Sequence, residues 1–348
     1  MKILGIESSA DETAAAIVED GHLLLSSVVA TSLNLHTVYG GIVPEIAARS
    51  HIEVIIPVIK QAFEDAECGW EDIDAVAVTQ GPGLIGSLLI GILTARTLSI
   101  TKNKPIFPVN HVLAHTYANF VTDTSLPGYQ LPEKPPEFPF ISLVVSGGHT
   151  QLMLYKSHNN YNILGQTKDD AVGEAYDKVA KILGLPYPGG PSIDKASQKG
   201  NPDAVVLPIS KLDDPYDFSF SGLKTAALRA AQQMAGKDYT FPSYELPKVL
   251  NANQKADLAA SFQKTAVKTL VDAAVKAEAE FRPKSFLLAG GVAANPVLRA
   301  ELKKRLHSPL LCPDIKLCTD NAAMIAAAAY YQPKKAVNPY KLTVIPSL

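Results

Sequence analysis

An internal duplication constrains the fold of this chain more than any other feature of its sequence. Residues 2–7 are an apolar stretch that runs into small polar residues, and two further strand-like stretches follow around a tight Asp20-Gly21 turn. Residues 140–164 repeat the same order of strand, small-residue turn, strand, polar turn and strand. The 348 residues are enough for two domains with full cores. The repeat therefore predicts an α/β protein with two related lobes.

A second repeat lies downstream of each of these units. Residues 75–78 are a predicted strand that leads into Gln80-Gly81-Pro82-Gly83 and an apolar helix. Residues 285–289 lead in the same way into Gly290-Gly291 and another helix. A helix N-terminus beside a flexible loop favours phosphate groups. A glycine loop on its own is often a simple turn, but two of them in a duplicated frame favour an anion-binding role.

A third correspondence concerns metal-ligating residues. His111 and His115 stand four residues apart on a predicted helix, so their rings share one face and can hold one divalent metal. A helix with two satisfied histidines is the alternative. Asp320 occupies, in the second half, the strand-to-helix position that His111 has in the first. If the halves face each other across a cleft, the three side chains converge there and leave coordination positions open, as catalytic sites do. Asp320 also suits a helix N-cap, and it can fill both roles.

The bulk composition excludes several classes of protein. A formal net charge of -2 means that any contact with nucleic acid must come from a local patch or a partner. No run approaches the roughly 18 apolar residues of a membrane span. Because the chain enters a predicted strand at once, we expect no signal or transit peptide. The three cysteines contain no C-x-x-C pair, which favours the cytoplasm.

The predicted organisation has four parts. They are an N-terminal lobe (1–121), a linker rich in proline and charged residues (122–139), a C-terminal lobe (140–321), and a final helix and tail that cross back toward the N-terminal lobe (322–348). Residues 44–66 of the first lobe are predicted to be helical, with a kink or break at Pro57. Residues 52–59 are too continuously apolar for a helix with one wet face. Core burial and a partner interface, with positions such as Ile55 exposed, both remain open.

A set of short motifs spans nearly the whole chain. In order they are Gly5-Ile6-Glu7-Ser8-Ser9 with Asp11-Glu12-Thr13, Gln80-Gly81-Pro82-Gly83, Asn110-His111-Val112-Leu113-Ala114-His115, Ser146-Gly147-Gly148-His149-Thr150, Gly173-Glu174-Ala175-Tyr176-Asp177-Lys178, Tyr187-Pro188-Gly189-Gly190, Phe218-Ser219-Phe220-Ser221-Gly222-Leu223-Lys224, Gly290-Gly291-Val292-Ala293-Ala294-Asn295 and Thr319-Asp320-Asn321. With the duplicated strand units, this combination resembles the TsaD family of tRNA threonylcarbamoyladenosine transferases, formerly classed as glycoproteases. The chain departs from the family at Ala10, where a cysteine is usual, so a nucleophilic role is not expected there.

The resemblance implies a fold and an activity. The fold is that of the actin/hexokinase/Hsp70-like ATPases, with two duplicated ribonuclease H-like lobes facing a central cleft. The activity is the transfer of a threonylcarbamoyl group from threonylcarbamoyl-AMP to N6 of the adenosine just 3′ of the anticodon, in tRNAs that read codons starting with adenine. AMP is the leaving group. The implied partners are tRNA, a paralogous TsaB-like subunit, a TsaE-like ATPase and a TsaC-like synthase that supplies the adenylate. No membrane is involved.

The resemblance also implies roles for individual residues. His111, His115 and Asp320 would hold one iron or zinc ion. The donor substrate would be bound by a loop and four further residues, namely Val144, Val145, Ser146, Gly147, Gly148, Asp177, Gly190, Asp194 and Asn295. Asp11 and Glu12 have two open roles, as general base toward the attacking amine or as a cap of the local turn.

Three other functions compete with this interpretation. A sugar- or acetate-type kinase of the same superfold would transfer a phosphoryl group, but such kinases usually carry an Asp-x-Gly-Thr first loop that residues 7–13 lack. A zinc protease is disfavoured because no glutamate follows His111 as in H-E-x-x-H. A non-catalytic scaffold would be expected to lose the metal trio, and all three residues are present.

Overall fold

The structure is a computed structural model that describes residues 1–36, 39, 41–331 and 336–348. The chain divides into two compact units. Unit 1 comprises Met1–Glu137, Ser157–Asn159 and Leu311–Leu348, and unit 2 comprises Phe138–Lys156 and Asn160–Leu310.

The described residues form eleven strands and eleven α-helices. The strands are β1 (Lys2–Glu7), β2 (Glu12–Glu19), β3 (Leu23–Thr31), β4 (Ala75–Gly81), β5 (Ile106–Asn110), β6 (Asp123–Thr124), β7 (Phe140–Val145), β8 (Thr150–Ser157), β9 (Asn160–Gln166), β10 (Ser285–Ala289) and β11 (Leu310–Leu311). The α-helices are α1 (Leu33–His36), α2 (Pro44–Asp65), α3 (Ile85–Lys102), α4 (His111–Tyr117), α5 (Val172–Leu183), α6 (Gly189–Ser197), α7 (Ser221–Met234), α8 (Leu246–Val249), α9 (Ala252–Phe281), α10 (Pro296–Arg305) and α11 (Ala322–Tyr331).

The strand order bears out the predicted duplication. The first sheet has the order β5-β4-β1-β2-β3-β6 and the second has the order β11-β10-β7-β8-β9. In the first, β1 pairs antiparallel with β2 and parallel with β4. In the second, β7 pairs antiparallel with β8 and parallel with β10. The two sheets therefore share the same central pattern, and in each the central strand is buried along nearly its whole length.

The alanine-rich helix α11 packs directly against the sheet of unit 1. Its residues Ala322–Ala329 are all buried, as expected for a helix that is apolar on every side. Gly5 in β1 makes the close approach feasible, because a Cβ there would overlap the carbonyl oxygen of Ala322. The absence of a side chain at Gly5 thus sets the distance between β1 and α11.

Two segments belong to unit 1 although the sequence assigned them elsewhere. Most of the expected linker packs on unit 1. Strand β6 pairs in parallel with β3, and the backbone N–H of Gln130 donates to the Asp314 carboxylate at 2.6 Å. Residues 311–321, assigned to the C-terminal lobe, also lie in unit 1, and so does the tail. Residues 332–335 of that tail lie outside the described residues. Asp320 therefore belongs to the same unit as His111 and His115.

Helix α2 corrects the prediction of a break at Pro57, because it continues through that residue to Asp65. Pro57 lies on the exposed side, where the carbonyl that loses its partner can face water. The apolar stretch 52–59 has two faces. Ile55 is 3% exposed and packs in the core, whereas Ile52 and Ile56 are 61% and 47% exposed. The expectation of an exposed Ile55 is therefore wrong, and burial and exposure are divided between the two faces.

One helix of the described residues is long and apolar enough to cross a membrane, although the sequence predicted no such segment. Helix α3 has an 18-residue window of mean hydropathy 1.2 and meets the length and composition of a membrane span. One third of that window is buried, and the helix packs against β4 and α2. A core helix of a folded domain passes the same test.

Candidate metal centre and nucleotide-binding loops

Strand β5 and helix α4 position the two histidines. The chain leaves β5 at Asn110, whose side chain accepts a hydrogen bond from the backbone N–H of Leu113 at 3.1 Å and so fixes the first turn of α4. His111 and His115 then stand one turn apart, with ring centroids 4.8 Å from each other and the rings nearly perpendicular. Both side chains are buried. The local sequence thus sets the spacing of the pair.

Asp320 reaches both histidines from the start of α11. Its Oδ1 lies 3.4 Å from Nε2 of His111 and 3.5 Å from Nε2 of His115. One ligand atom from each of the three residues lies within 4.8 Å of the others. The structure brings the trio together inside unit 1. Two imidazole nitrogens and one carboxylate oxygen suit a divalent metal, and three protein ligands leave coordination positions open.

Asn321, and not Asp320, caps helix α11. The side-chain Oδ1 of Asn321 accepts a hydrogen bond from the backbone N–H of Met324 at 3.0 Å, which caps the first turn of α11. The amide nitrogen of Asn321 donates to the carbonyl oxygens of Leu317 and Thr319. Asn321 therefore anchors the turn, while the carboxylate of Asp320 lies beside the histidines.

Glu7 is a functional residue that the sequence reasoning missed. Its carboxylate is fully buried and accepts hydrogen bonds from Nδ1–H of His111 at 3.0 Å, from the Thr79 hydroxyl at 2.6 Å and from the backbone N–H of Ser9 at 2.5 Å. Because Glu7 holds the hydrogen on Nδ1, Nε2 is the nitrogen of His111 that faces Asp320, and in the neutral ring it would be the atom that binds a metal. The signal that could have found Glu7 is a charged residue at the end of an otherwise apolar strand.

The charges around His111 shift the pKa values of the buried groups. Burial alone would lower the pKa of His111, but the carboxylates of Asp320 and Glu7 outweigh it and hold the pKa well above its ordinary value. Burial would raise the pKa of Glu7, yet the charge and hydrogen bond of His111 bring it below the usual range. Negative charge thus dominates this part of unit 1, which is the environment that a divalent cation requires.

Asp11 lies in the turn between β1 and β2, and Glu12 is the first residue of β2. Burial raises the pKa of Glu12 to about 10, and the negative charges of Asp320, Asp11 and Glu7 act in the same direction. The Asp11 backbone carbonyl accepts a hydrogen bond from the Ser32 hydroxyl at 2.8 Å, which ties the turn to the end of β3. A carboxyl group with a strongly raised pKa is a candidate for proton transfer.

In unit 2, the predicted substrate loop is a tight turn that follows β7. Val144 and Val145 are buried strand residues. The backbone N–H of Ser146 donates to the His149 carbonyl oxygen at 2.8 Å. The backbone N–H of His149 donates to the hydroxyl oxygen of Ser146 at 3.1 Å. At Gly147 and Gly148 a Cβ would meet no other atom within 4 Å. The turn is tied at both ends, and its glycines border open space.

Other glycines pack closely around this turn. A Cβ at Gly173 would lie 2.5 Å from the Ser146 carbonyl oxygen, and one at Gly290 would overlap the carbonyl oxygen of Val145. Gly290 also has φ +90°, a conformation that L side chains rarely adopt. The motifs around residues 146, 173 and 290 therefore form one packed cluster.

The remaining predicted adenylate residues also lie in unit 2. Asp177 Oδ1 accepts a hydrogen bond from the backbone N–H of Gly189 at 2.7 Å, and Gly190 borders open space. Asp194 lies on α6, and Asn295 caps α10 through the backbone N–H of Leu298 at 3.0 Å. Their carboxylate and amide groups suit ribose hydroxyls and a base edge.

Gln263 on α9 is a second residue that the sequence reasoning missed. It is buried, and its side-chain amide contacts both Asp194 and Asn295. The sequence does contain a signal, since Gln263 interrupts the apolar stripe formed by residues such as Ala259, Ala266 and Leu270.

Asp169 anchors the start of α7. Its carboxylate accepts hydrogen bonds from the hydroxyls of Ser219 and Ser221 and from the backbone N–H groups of Phe220 and Ser221, at 2.5–3.2 Å. Burial alone would raise its pKa, but these donors hold it below the ordinary value. The Phe-Ser-Phe-Ser-Gly motif is thus held by one carboxylate.

We expect Asp169→Ala to lower the free energy of unfolding by about 1–2 kcal/mol, because an exposed but multiply bonded carboxylate is lost. The folded-state pKa of Asp169 is depressed, so its contribution is present above the ordinary aspartate pKa and lost as the pH falls. Urea denaturation at pH 7 and at pH 3.5 measures both effects. Asp213→Ala, an exposed aspartate of the same unit, is the control. A loss equal at both pH values would contradict the assignment.

Comparisons with known proteins agree on one family. A family model described as tRNA N6-adenosine threonylcarbamoyltransferase matches residues 23–327. A relative of that name from Thermomicrobium roseum is 50% identical, with 97% of this chain and 93% of the relative covered. Another, from Symbiobacterium thermophilum, is 51% identical over 94% of this chain and 91% of the relative.

A solved structure shows the fold. Component A of the (R)-2-hydroxyglutaryl-CoA dehydratase of Acidaminococcus fermentans matches with a TM-score of 0.52 at 15% identity, covering 96% of this chain and all of that one. At this identity the likeness concerns the fold alone. The predicted fold class, an α/β protein of the actin-like ATPase type with two sheets, is confirmed.

Proposed function

This chain belongs to the TsaD family of tRNA N6-adenosine threonylcarbamoyltransferases, and we propose that it transfers threonylcarbamoyl from threonylcarbamoyl-AMP to N6 of the adenosine 3′ of the anticodon in tRNAs that read codons starting with adenine. The new bond joins N6 to the carbamoyl carbon, the bond from that carbon to the phosphate oxygen breaks, and AMP leaves. The observation that carries the proposal is the convergence of His111, His115 and Asp320 within unit 1.

The trio is proposed to hold one iron(II) or zinc ion. Two imidazoles and a carboxylate suit either metal. When bound, such an ion supplies Lewis-acid polarisation of the threonylcarbamoyl oxygens. Glu7 keeps the hydrogen of His111 on Nδ1 and so presents Nε2 as a ligand.

The adenylate is assigned to unit 2. The backbone N–H groups of residues 144–148 are proposed to receive the donor's phosphate or carbonyl edge, since successive amides in a tight turn bind anions. Asp177, Gly190, Asp194 and Asn295 are proposed to contact the ribose and the base.

The amine at N6 loses a proton as the bond forms. We assign this proton to the Asp11–Glu12 pair. Burial is the main cause of the raised pKa of Glu12, and the negative charge of Asp320 adds to it. Neutralising the charge of Asp320 would remove that added part and shift Glu12 toward the form that accepts a proton.

The transfer is tested by nucleoside analysis of tRNA after incubation with this protein, its family partners, threonine, bicarbonate and ATP. We expect threonylcarbamoyladenosine to appear with the wild-type chain. Unmodified tRNA, with an active partner set verified using a characterised relative, would refute the proposal.

The proposed partners are tRNA, a TsaB-like paralogue, a TsaE-like ATPase and a TsaC-like synthase, with the cytoplasm as the compartment and no membrane role. Helices α2 and α3 supply the surface that we assign to the TsaB-like subunit. Four of their apolar side chains are between 43% and 61% exposed, namely Ile52, Ile56, Ile85 and Leu89. Exposed apolar side chains on two packed helices are typical of a protein interface.

We expect Ile52→Glu with Ile56→Glu to abolish association with the TsaB-like subunit and to leave the thermal stability of the isolated chain nearly unchanged, because both side chains face solvent. Size-exclusion chromatography with light scattering measures the association. Ile55→Glu is the contrasting variant: it buries a charge in the core and should destabilise the chain by several kcal/mol. If the double variant still forms the complex, α2 is not part of the interface.

A further inference from the structure

Gln263 is a buried amide whose hydrogen-bonding groups all have partners. The residue is 3% exposed. Its Nε2 donates to the Ser197 hydroxyl at 2.9 Å and to Asp194 Oδ1 at 3.2 Å, and its Oε1 accepts from Asn295 Nδ2 at 3.0 Å. A flipped amide would set oxygen against the Asp194 carboxylate and NH₂ against the Asn295 NH₂. The orientation of the amide is therefore determined.

The partners of Gln263 are themselves fixed by other bonds. The Ser197 hydroxyl donates to the backbone carbonyl of Asp194 at 2.7 Å, so its oxygen is left to accept from Gln263. Asn295 Oδ1 caps α10 through Leu298 N–H, which points its Nδ2 at Gln263. One side chain on α9 thus links α6 to the start of α10.

We propose that Gln263 is a positioning residue that holds Asp194 and Asn295 in the geometry needed to bind the nucleoside of the adenylate. This inference rests on the proposed function, which assigns the adenylate to these two residues. Gln263 itself acts through them and does not need to touch the ligand. A polar group displaced by less than an ångström loses much of its hydrogen bonding, so support of this kind decides affinity.

Two substitutions separate positioning from simple packing. Gln263→Glu retains the acceptor for Asn295 but places a carboxylate against Asp194, so AMP affinity should fall at least about tenfold. The same change is then made in Asp194→Asn, where the amide at position 194 can donate to the new carboxylate. In that background Gln263→Glu should weaken AMP binding much less than it does in the wild type. Such a rescue is not expected of a residue that only fills space.

The measurement is calorimetric titration of AMP into the full-length protein, with folding checked by circular dichroism. Gln232→Met is the matched control, because Gln232 is also 3% exposed and bonds only within its own region, to Tyr239, Phe241 and Arg229. It should lower the melting temperature and leave the AMP dissociation constant within about twofold. Ser197→Ala, a milder change in the network, should weaken AMP roughly threefold and covers the case in which Gln263→Glu fails to fold.

The outcomes distinguish this inference from the proposed function. Wild-type affinity for AMP in folded Gln263→Glu, or in Ser197→Ala if the former does not fold, would overturn the positioning role alone. Failure of the wild-type chain to bind AMP would overturn the adenylate assignment and the inference with it. In steady-state transfer assays, a raised KM for the adenylate with a nearly unchanged kcat supports positioning in the bound state.

Discussion

Asp320→Ala should lose its divalent metal and its transferase activity while the chain stays folded. Removing one of three ligands from an open site is expected to weaken the metal by more than about a hundredfold, since even partners outside the coordination sphere cost 10–100-fold. The stability should change little, because the cap of α11 comes from Asn321. Elemental analysis of the purified protein and its thermal melting curve measure the two effects.

Asp314→Ala is the control for this prediction. Asp314 accepts backbone N–H bonds from Gln130 and Lys316, so its loss should lower stability and leave the metal content unchanged. The two variants are thus expected to show opposite patterns. Full metal occupancy in Asp320→Ala would contradict the assignment of the trio.

Gly5→Ala should be among the most destabilising single-methyl changes in the chain, by about 3 kcal/mol. The added Cβ would overlap the carbonyl oxygen of Ala322 and lie 3.0 Å from the backbone nitrogen of Ala326, so backbone and not a flexible side chain must move. Because Ala322 follows Asp320 by two residues, the same shift should also weaken metal binding. Urea denaturation and metal titration measure the two effects.

Gly222→Ala serves as the control for Gly5→Ala. It lies in the first turn of α7, and its Cβ would sit 3.6 Å from the Ser210 hydroxyl, an ordinary contact. Alanine is the better helix former, so stability should be equal or slightly higher. If Gly5→Ala unfolds at the wild-type urea concentration, α11 can move away from β1 without cost, and the close packing inferred here is wrong.

The sequence by itself determined the duplicated α/β architecture and the composition of the metal trio. Strand alternation, glycine loops and the four-residue histidine spacing are local patterns with fixed geometric periods, so they carry over directly into β5, α4 and the two sheets. The duplication also predicted that Asp320 would join the two histidines, and Asp320 lies beside them in unit 1.

Tertiary structure decided the features that depend on which distant groups meet. The hydrogen bond from His111 to Glu7 joins residues 104 positions apart, and the contact between Gln263 and Asp194 joins residues 69 positions apart. Periodicity shows that residues 52–59 are apolar, but only packing against the sheet separates buried Ile55 from exposed Ile52. Hydrophobic patterns specify faces of single elements, whereas buried polar partners are chosen by the packing of several elements at once, and no local pattern contains that information.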